Sequence, residues 1–547
     1  MTKKKSKKGK KKSSTKTKER EEEEVVDQVL QPEENSKENA KETVSVEEKK
    51  EKEEEVTEVV CPCVLCGRAG SECRPCGEVQ LCPDCSPRHK HRGRCLPWTV
   101  QEGEEGRFLT ASRAIKPLEV VVTDLATITV PLTKLSCVGC GRGVSCLYSC
   151  PHCQLPLCGT QCPRADLHAV ECRVLRQSSS PLGPLTPEDK NHPVFTAVGC
   201  IRLLELKKHD LRAFQRLRNL NRKLEEVRAD TAAAESLRSV RQILAGCGYS
   251  EKEEEELEEV FCLLRLYSYT LPDLEDGKVR SLFPVQSLLS HSCLPNLQYI
   301  EAEGGRRIVL QATTKIQPGQ KLTVRLTPFL QGRLSLSRRL QDQRYLSCDC
   351  PRCSDATELG TFTSAALCDG AECGEQGGLI LPINPRDLQS DWICTCCQVI
   401  SSQATIEAIE EKYIERFSLL AQGDLAEYYR FLNELGERFH ASHHLVMRMA
   451  QFLVLLQGKR CESLPRERIE TQTMLCDKLL NYVSRLDPGA THNRAKLLLE
   501  KNKADLLLAK LDYEAGKISR NVFMNKIKEG VRIEVNAKKI LYFKWED

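Results

Sequence analysis

Phe283–Asn296, FPVQSLLSHSCLPN, decides the fold when it is read together with CDCPRC at Cys348–Cys353. An apolar run ends there in Ser-His-Ser-Cys and a turn built on Pro295 and Asn296. Some fifty residues later, C-x-C-x2-C supplies three thiolates, one short of a tetrahedral zinc shell. Cys293 is the candidate for the fourth, beside Cys348, Cys350 and Cys353. A zinc held this way ties two distant pieces of chain together where a pocket would form.

Composition sets the bounds. A chain of 547 residues holds about two to four domains. Its net charge of +4 creates no field that favours nucleic acid, so direct nucleic-acid binding is not expected. No signal peptide and no apolar run near eighteen residues are present, which predicts a soluble protein without a membrane partner, cytoplasmic and/or nuclear. Thirty cysteines, many spaced C-x2-C, fit zinc in a reducing compartment and not a disulfide scaffold. Residues 1–59 carry ten lysines before position 19 and then a Glu-dominated run, a composition that predicts disorder. The lysine block reads either as a nuclear-import signal or as a solubilising tail, and both readings stay open.

The cysteines fall into four sets. In 60–98, Cys63, Cys66, Cys73, Cys76, Cys82, Cys85, His91 and Cys95 form four pairs, enough for two ions in a cross-braced unit. His89 competes with His91, and Cys61 is a bystander. In 137–172, Cys137, Cys140, Cys150, Cys153, Cys158, Cys162, His168 and Cys172 repeat that design. Histidine as seventh ligand and cysteine as eighth excludes the RING and PHD orders. Cys146 and His152 are loop residues. The third set contains Cys293, and the fourth is Cys368, Cys373, Cys394 and Cys397 around a hairpin, a zinc ribbon with Cys396 spare. The total is about six zinc ions. Cys200, Cys247, Cys262, Cys461 and Cys476 sit in helical patterns as buried thiols.

Between and around these sets the pattern is mixed. Gly106–Val122 reads as strand, turn, strand with Lys116-Pro117 in the turn, and Ala312–Val324 echoes it with Pro318-Gly319. Residues 193–269 carry apolar residues at helical spacing. From about Ser402 the chain is helical, with breaks expected at Gly436, Gly458 and Pro488-Gly489.

SLLSHSCLPN and CDCPRC resemble the Asn-His-Ser-Cys-x-Pro-Asn core and cysteine-rich tail of SET-domain lysine methyltransferases. The ligand order of 137–172 resembles a MYND finger, and 60–98 a degenerate one. A MYND finger inserted into a split SET domain is similar to the SMYD family, and the upstream finger and ribbon resemble its arthropod branch. The resemblance implies an α+β fold. Its parts are a tail (1–59), an N-terminal MYND-like finger (60–98), the SET N-terminal part (104–136) and the MYND finger (137–172). A helical insert (173–275), the SET C-terminal part (276–330), a post-SET zinc site and ribbon (331–398) and a TPR-like helical domain (399–547) follow.

The same resemblance implies S-adenosyl-L-methionine-dependent methylation of protein lysines, histone or non-histone. Arg107 falls in the cofactor loop, with Phe108 where a second glycine often stands, and Ser290 and His291 fall at the methionine moiety. Four positions depart from the family pattern. Ser290 replaces an Asn, Tyr267 replaces a helix-end Asn, and Leu346 replaces an adenine-contacting Phe, with Tyr345 adjacent as a substitute. Leu326 stands where the family places the tyrosine that positions the amine, so no catalytic residue is assigned. A lost buried hydrogen bond costs about 1–3 kcal/mol. A lost positioning group costs about 10²–10⁴ in rate by analogy with acid–base groups. The expectation is a methyltransferase-like transcriptional or protein-interaction regulator with activity weak or lost; the alternative is an active divergent protein-lysine methyltransferase. Expected partners are proline-containing peptides at the MYND finger and a protein in the SET/helical cleft, with the chain monomeric.

Overall fold

A computed structural model describes residues 96–542 apart from internal segments of which 178–191 is the longest, together with the backbone of two short strands upstream. The charged tail and all eight ligands from Cys63 to Cys95, with His89, lie outside the described residues. Of the first cysteine region only β1 (Ser71–Glu72) and β2 (Gln80–Leu81) are described, an antiparallel pair.

The mixed sheet region begins with β3 (Trp98–Gly103) and β4 (Gly106–Ala111), a hairpin in register from Trp98–Ala111 to Gly103–Gly106. β5 (Val120–Leu125) and β6 (Ile128–Pro131) follow. Both strands expected in Gly106–Val122 form, but they do not pair with each other. β4 folds back on β3, and β5 joins a strand two hundred residues away, because the turn between them redirects the chain.

A small cysteine-rich unit interrupts the sheets, with β7 (Tyr148–Ser149), β8 (Pro156–Leu157) and α1 (Ala165–Leu175). The helical insert comes next. α2 (Pro193–His209) starts with proline in its first turn and the His192 side chain accepting from Val194 N–H. α3 (Leu211–Arg218), α4 (Leu224–Ala229) and α5 (Thr231–Ala245) lead to α6 (Glu254–Tyr267). Asp230 caps α5 by accepting from Ala232 and Ala233. Val198, Cys200, Ile201 and Leu204 of α2 share one core with Val260, Cys262 and Leu264 of α6.

β9 (Ser268–Thr270) and β10 (Val279–Leu282) return the chain to the sheet beside β6. β11 (Ser290–His291), β12 (Leu297–Glu303), β13 (Arg307–Ala312) and β14 (Thr323–Val324) complete it. β13 lies between β12 and β5, and β11 pairs parallel with β14.

The echo in sequence has a spatial meaning. Ile115 and Ile316 exchange both backbone hydrogen bonds, at 2.9 and 3.0 Å. Gly319 N–H donates to the Ala111 carbonyl (2.7 Å), and Leu118 N–H to the Ala312 carbonyl (2.8 Å). The two copies therefore face each other as halves of one local two-fold. Each turn needs a left-handed residue after its proline. Gly319 meets that need at φ +79°, and Leu118 adopts the same region at φ +66°.

Beyond the sheets, α7 (Arg333–Arg344) runs to the third cysteine set. A four-stranded antiparallel sheet follows: β15 (Ala366–Leu367), β16 (Leu379–Pro382), β17 (Trp392–Cys394) and β18 (Ile400–Ser401). Six helices close the chain: α8 (Gln403–Leu419), α9 (Leu425–Arg438), α10 (His444–Gly458), α11 (Arg466–Leu486), α12 (His492–Glu514) and α13 (Arg520–Leu541). Ser402 caps α8. Gly458 and Pro488-Gly489 end helices as expected, but Gly436 does not. α9 runs through it to Arg438, since Phe431 and Leu435 bury the helix face and nothing crowds the glycine.

The 487–492 connection fastens the helices to the sheet region. Ala490 N–H donates to the Thr313 carbonyl at 2.8 Å, and a Cβ at Gly489 would fall 2.2 Å from that oxygen. Arg325 pairs with Asp487 at 3.1 Å and donates to the Leu486 and Cys293 carbonyls. Among the described residues, no helix is long and apolar enough to cross a membrane.

Candidate functional site

The structure brings sixteen of the sequence-selected ligands into four tetrads: Cys137/Cys140/Cys158/Cys162, Cys150/Cys153/His168/Cys172, Cys293/Cys348/Cys350/Cys353 and Cys368/Cys373/Cys394/Cys397. The first two interleave, first pair with third and second with fourth. Sulfur separations run from 3.5 Å (Cys293–Cys353) through 3.7 Å (Cys137–Cys162) to 3.9 Å (Cys293–Cys348). Thiolates about 2.3 Å from a tetrahedral zinc lie about 3.8 Å apart, so the donor sets suit zinc. Cys396 stays exposed outside its tetrad. Gly378 is required beside the fourth set, where an added Cβ would meet Cys394 Sγ at 2.2 Å.

One support in the second tetrad went unread in the sequence. His168 Nε2 lies 3.5 Å from Cys153 Sγ, which leaves Nδ1–H to donate to Glu171 at 3.0 Å. Glu171 is fully buried and accepts a second bond, from Arg202 Nε at 2.9 Å. Arg202 also donates to the carbonyls of Val138 (2.9 Å) and Thr129. A carboxylate behind a ligating histidine fixes its tautomer and orientation. Arg202, on α2, thereby couples the cysteine-rich unit to the helical insert and to β6. Nothing in the spacing of Glu171 or Arg202 signals this, because the two come from separate helices.

Glu410, His443 and His444 form a fifth buried group, which has a different character. Glu410 Oε1 accepts from His443 Nε2 at 3.2 Å and His444 Nε2 at 3.1 Å. His443 Nδ1 accepts from Leu445 N–H at 3.3 Å, so the proton sits on Nε2, the atom a metal would need. Burial, then the neighbouring His444 charge, pushes His443 down to about 4. The group is a hydrogen-bonded core, not a metal shell.

Beside the third tetrad lies an open pocket bounded by the Gly106–Phe108 loop, Tyr267 at the end of α6, the 286–291 segment and the chain after α7. Arg107, Ser290, His291, Leu326 and Leu346 all line it. Asp124 holds the backbone behind Gln286 by accepting from Val285 N–H (2.7 Å) and Gln286 N–H (2.8 Å). Burial pushes the Asp124 carboxyl up to about 7 against those bonds. Asn296 locks the knot, with Nδ2 donating to the Lys321 carbonyl and Oδ1 accepting from Thr323 N–H, both at 2.9 Å.

His291 joins pocket and metal set. Its Nδ1 accepts from Leu326 N–H at 3.1 Å, so Nε2 carries the proton and faces Cys293 Sγ at 3.5 Å. Its ring thus bridges the two sites. Leu326 shares apolar contacts with the clusters on both sides. Tyr345 does not substitute for Leu346. It takes a left-handed conformation (φ +50°), and its hydroxyl donates to Asp230 at 2.6 Å, outside the pocket. Tyr267 turns its hydroxyl to the Asn221 carbonyl at 2.7 Å.

The SET domain family model matches residues 185–325, ending one residue before Leu326. The chain is 26% identical over 379 residues to SET domain-containing protein SmydA-8, isoform A, of Drosophila melanogaster, covering 66% of this chain and 78% of that protein. The chain carries a SET domain and is similar to SMYD-family proteins. It is also similar to the histone-lysine N-methyltransferase ASHR1 of Arabidopsis thaliana, 23% identical over 341 residues (56% and 65% of the two chains). With mouse histone-lysine N-methyltransferase SMYD3 the identity is 25% over 272 residues (45% and 60%). A structure of the SET domain of LSMT bound to lysine and AdoHcy aligns at 12% identity and a TM-score of 0.27 over 81% and 86% of the chains, too loosely to bear on function.

Proposed function

We propose that this protein is a SET/MYND zinc scaffold that recognises other proteins, as in transcriptional control, with methyl transfer weak or lost. Its parts on this reading are a MYND finger at 137–172 inside a split SET domain, a second finger upstream and a TPR-like helical domain. The observation that carries it is Leu326. Its backbone N–H is held by His291 at 3.1 Å, in the pocket wall, so the position is filled as the fold requires while the side chain offers no hydroxyl. An apolar side chain there cannot orient an amine, and no change of protonation restores that role. Ser290, Tyr267 and Leu346 line the same pocket and add three more departures from the family pattern. The residues present therefore fit S-adenosylmethionine poorly.

Proline-containing peptides at the finger and a protein ligand in the SET/helical cleft are the partners this reading assigns, with the chain monomeric in cytoplasm or nucleus. The competing reading is a divergent protein-lysine methyltransferase, favoured by the open pocket and by the retained His291. Titration calorimetry with S-adenosylmethionine separates them: binding at micromolar strength sinks the degraded-pocket reading. Transfer of a labelled methyl group to lysine by the unmodified chain would establish the enzyme instead.

A further inference from the structure

We propose that the pocket beside Leu326 takes a phosphate-bearing anion in place of S-adenosylmethionine. The inference rests on the reading of that pocket as degraded for its family cofactor. Arg107, Lys223, Lys321 and Arg344 line it, and Asp349 is the one acid among its described lining residues. None of the four cations forms an ion pair among the described residues, Glu102 opposite Arg107 in the hairpin included.

Each of three cations is held in place by a neutral partner. Lys223 Nζ donates to the Tyr345 carbonyl at 2.6 Å, and Arg344 donates to the Ser268 carbonyl at 2.8 Å. The Lys321 ammonium stands 4.6 Å from the centre of the Phe108 ring, the residue at the family's second glycine. Carbonyls and a ring face orient positive charge without neutralising it. The pocket thus presents cations from four separate segments of chain, three of them oriented by neutral groups, with Asp349 and the Cys348 thiolate as the negative groups on its lining. A ligand bearing a sulfonium would add positive charge to that field. A di- or triphosphate supplies several negative oxygens, and arginine forks bind such groups through paired charge-assisted bonds.

A second observation asks for a donor on the same ligand. Gln286 lines the pocket and is 3% exposed. Its Nε2 donates to the Tyr299 hydroxyl at 3.2 Å, and its Oε1 is buried without a partner. A buried acceptor left unmatched is costly, so a ligand N–H or O–H is the complement it lacks. Phosphate oxygens and a hydrogen-bond donor on one molecule describe a nucleotide better than a simple anion.

The test is calorimetry on the full zinc-loaded chain with ADP, inorganic pyrophosphate and S-adenosylmethionine, at low and high salt. We expect ADP to bind at least about tenfold more tightly than S-adenosylmethionine, with affinity falling as salt rises. Lys321→Ala should weaken ADP about fivefold or more, and Arg344→Gln should do likewise with the zinc content of both variants unchanged. Pyrophosphate binding as tight as that of ADP supports the site through phosphate alone; weaker pyrophosphate binding supports a nucleotide. ADP affinity unmoved in both variants overturns the assignment. No binding by any probe overturns this inference and leaves the degraded-pocket reading standing. Micromolar S-adenosylmethionine without ADP binding overturns both.

Discussion

Cys293 and Leu326 touch opposite edges of the same imidazole, His291, yet they belong to regions built on different terms. On the Cys293 side every ligand of the tetrad is present. On the Leu326 side, Ser290, Tyr267, Leu326 and Leu346 stand where the resemblance calls for two Asn, a Tyr and a Phe, and four cations without an ion pair among the described residues line the same wall. The difference follows from what each residue contributes to folding. A metal ligand cannot be replaced without losing binding energy that is also folding energy. A pocket hydroxyl can become a leucine with little penalty, because an apolar side chain leaves no buried polar group unmatched. The metal centres thus report the fold, and the pocket reports the chemistry.

The largest test of this contrast is metal removal. Chelation, or Cys293→Ala, should abolish the cooperative unfolding transition, since structural zinc contributes about 10–16 kcal/mol in small zinc modules. Circular dichroism with metal analysis checks it, and a pocket that still binds its ligand without zinc would break the contrast.

The next effect lies at Asp124, which holds the backbone of Gln286. Asp124 has a native pKa near 7 against an ordinary 3.8, so the folded state holds that proton more tightly than the unfolded chain. The stability it contributes is complete below about pH 4 and is lost as pH rises through 7, up to about 4 kcal/mol at 1.36 kcal/mol per unit. Asp124→Asn should flatten denaturant stability between pH 4 and 7 and leave the variant ahead of the natural chain at pH 8.

Leu326→Tyr combined with Ser290→Asn should raise labelled-methyl transfer to lysine by about 100-fold or more if those two positions carry the deficit. No gain in the double variant, with the zinc content intact, would move the deficit to Tyr267, Leu346 or the pocket cations. The smallest effect concerns the metal side. Glu171→Gln should lower zinc affinity of the His168 tetrad about 10- to 100-fold without unfolding the chain, read by competition with a chromogenic chelator.

Much of the metal chemistry was legible in sequence. Spacings such as Cys137-x2-Cys140 and His168-x3-Cys172 encode ligand pairs locally, and counting in fours sorts the tetrads and sets Cys396 aside. The 106–122 segment was legible only in part, because period-two alternation announces a strand but not its partner. Gly436 misled because glycine is a weak helix breaker where Phe431 and Leu435 bury the same face. Arg344 gave no signal at all: in RRLQDQRYL it reads as one more charge on a solvated helix.

The sequence by itself picked out the ligands of the four described tetrads, since each pair is a matter of residue type at short chain spacing, while the departures at Ser290, Leu326 and Leu346 are what the family resemblance implies. Only the tertiary structure decided that Tyr345 turns away to Asp230 and that His291 joins Cys293 to Leu326. It also decided that Arg107, Lys223, Lys321 and Arg344 surround one cavity. Thiolate pairs are bound together by short chain spacing, whereas the field inside a pocket is a sum over charges that long loops and packed helices bring together.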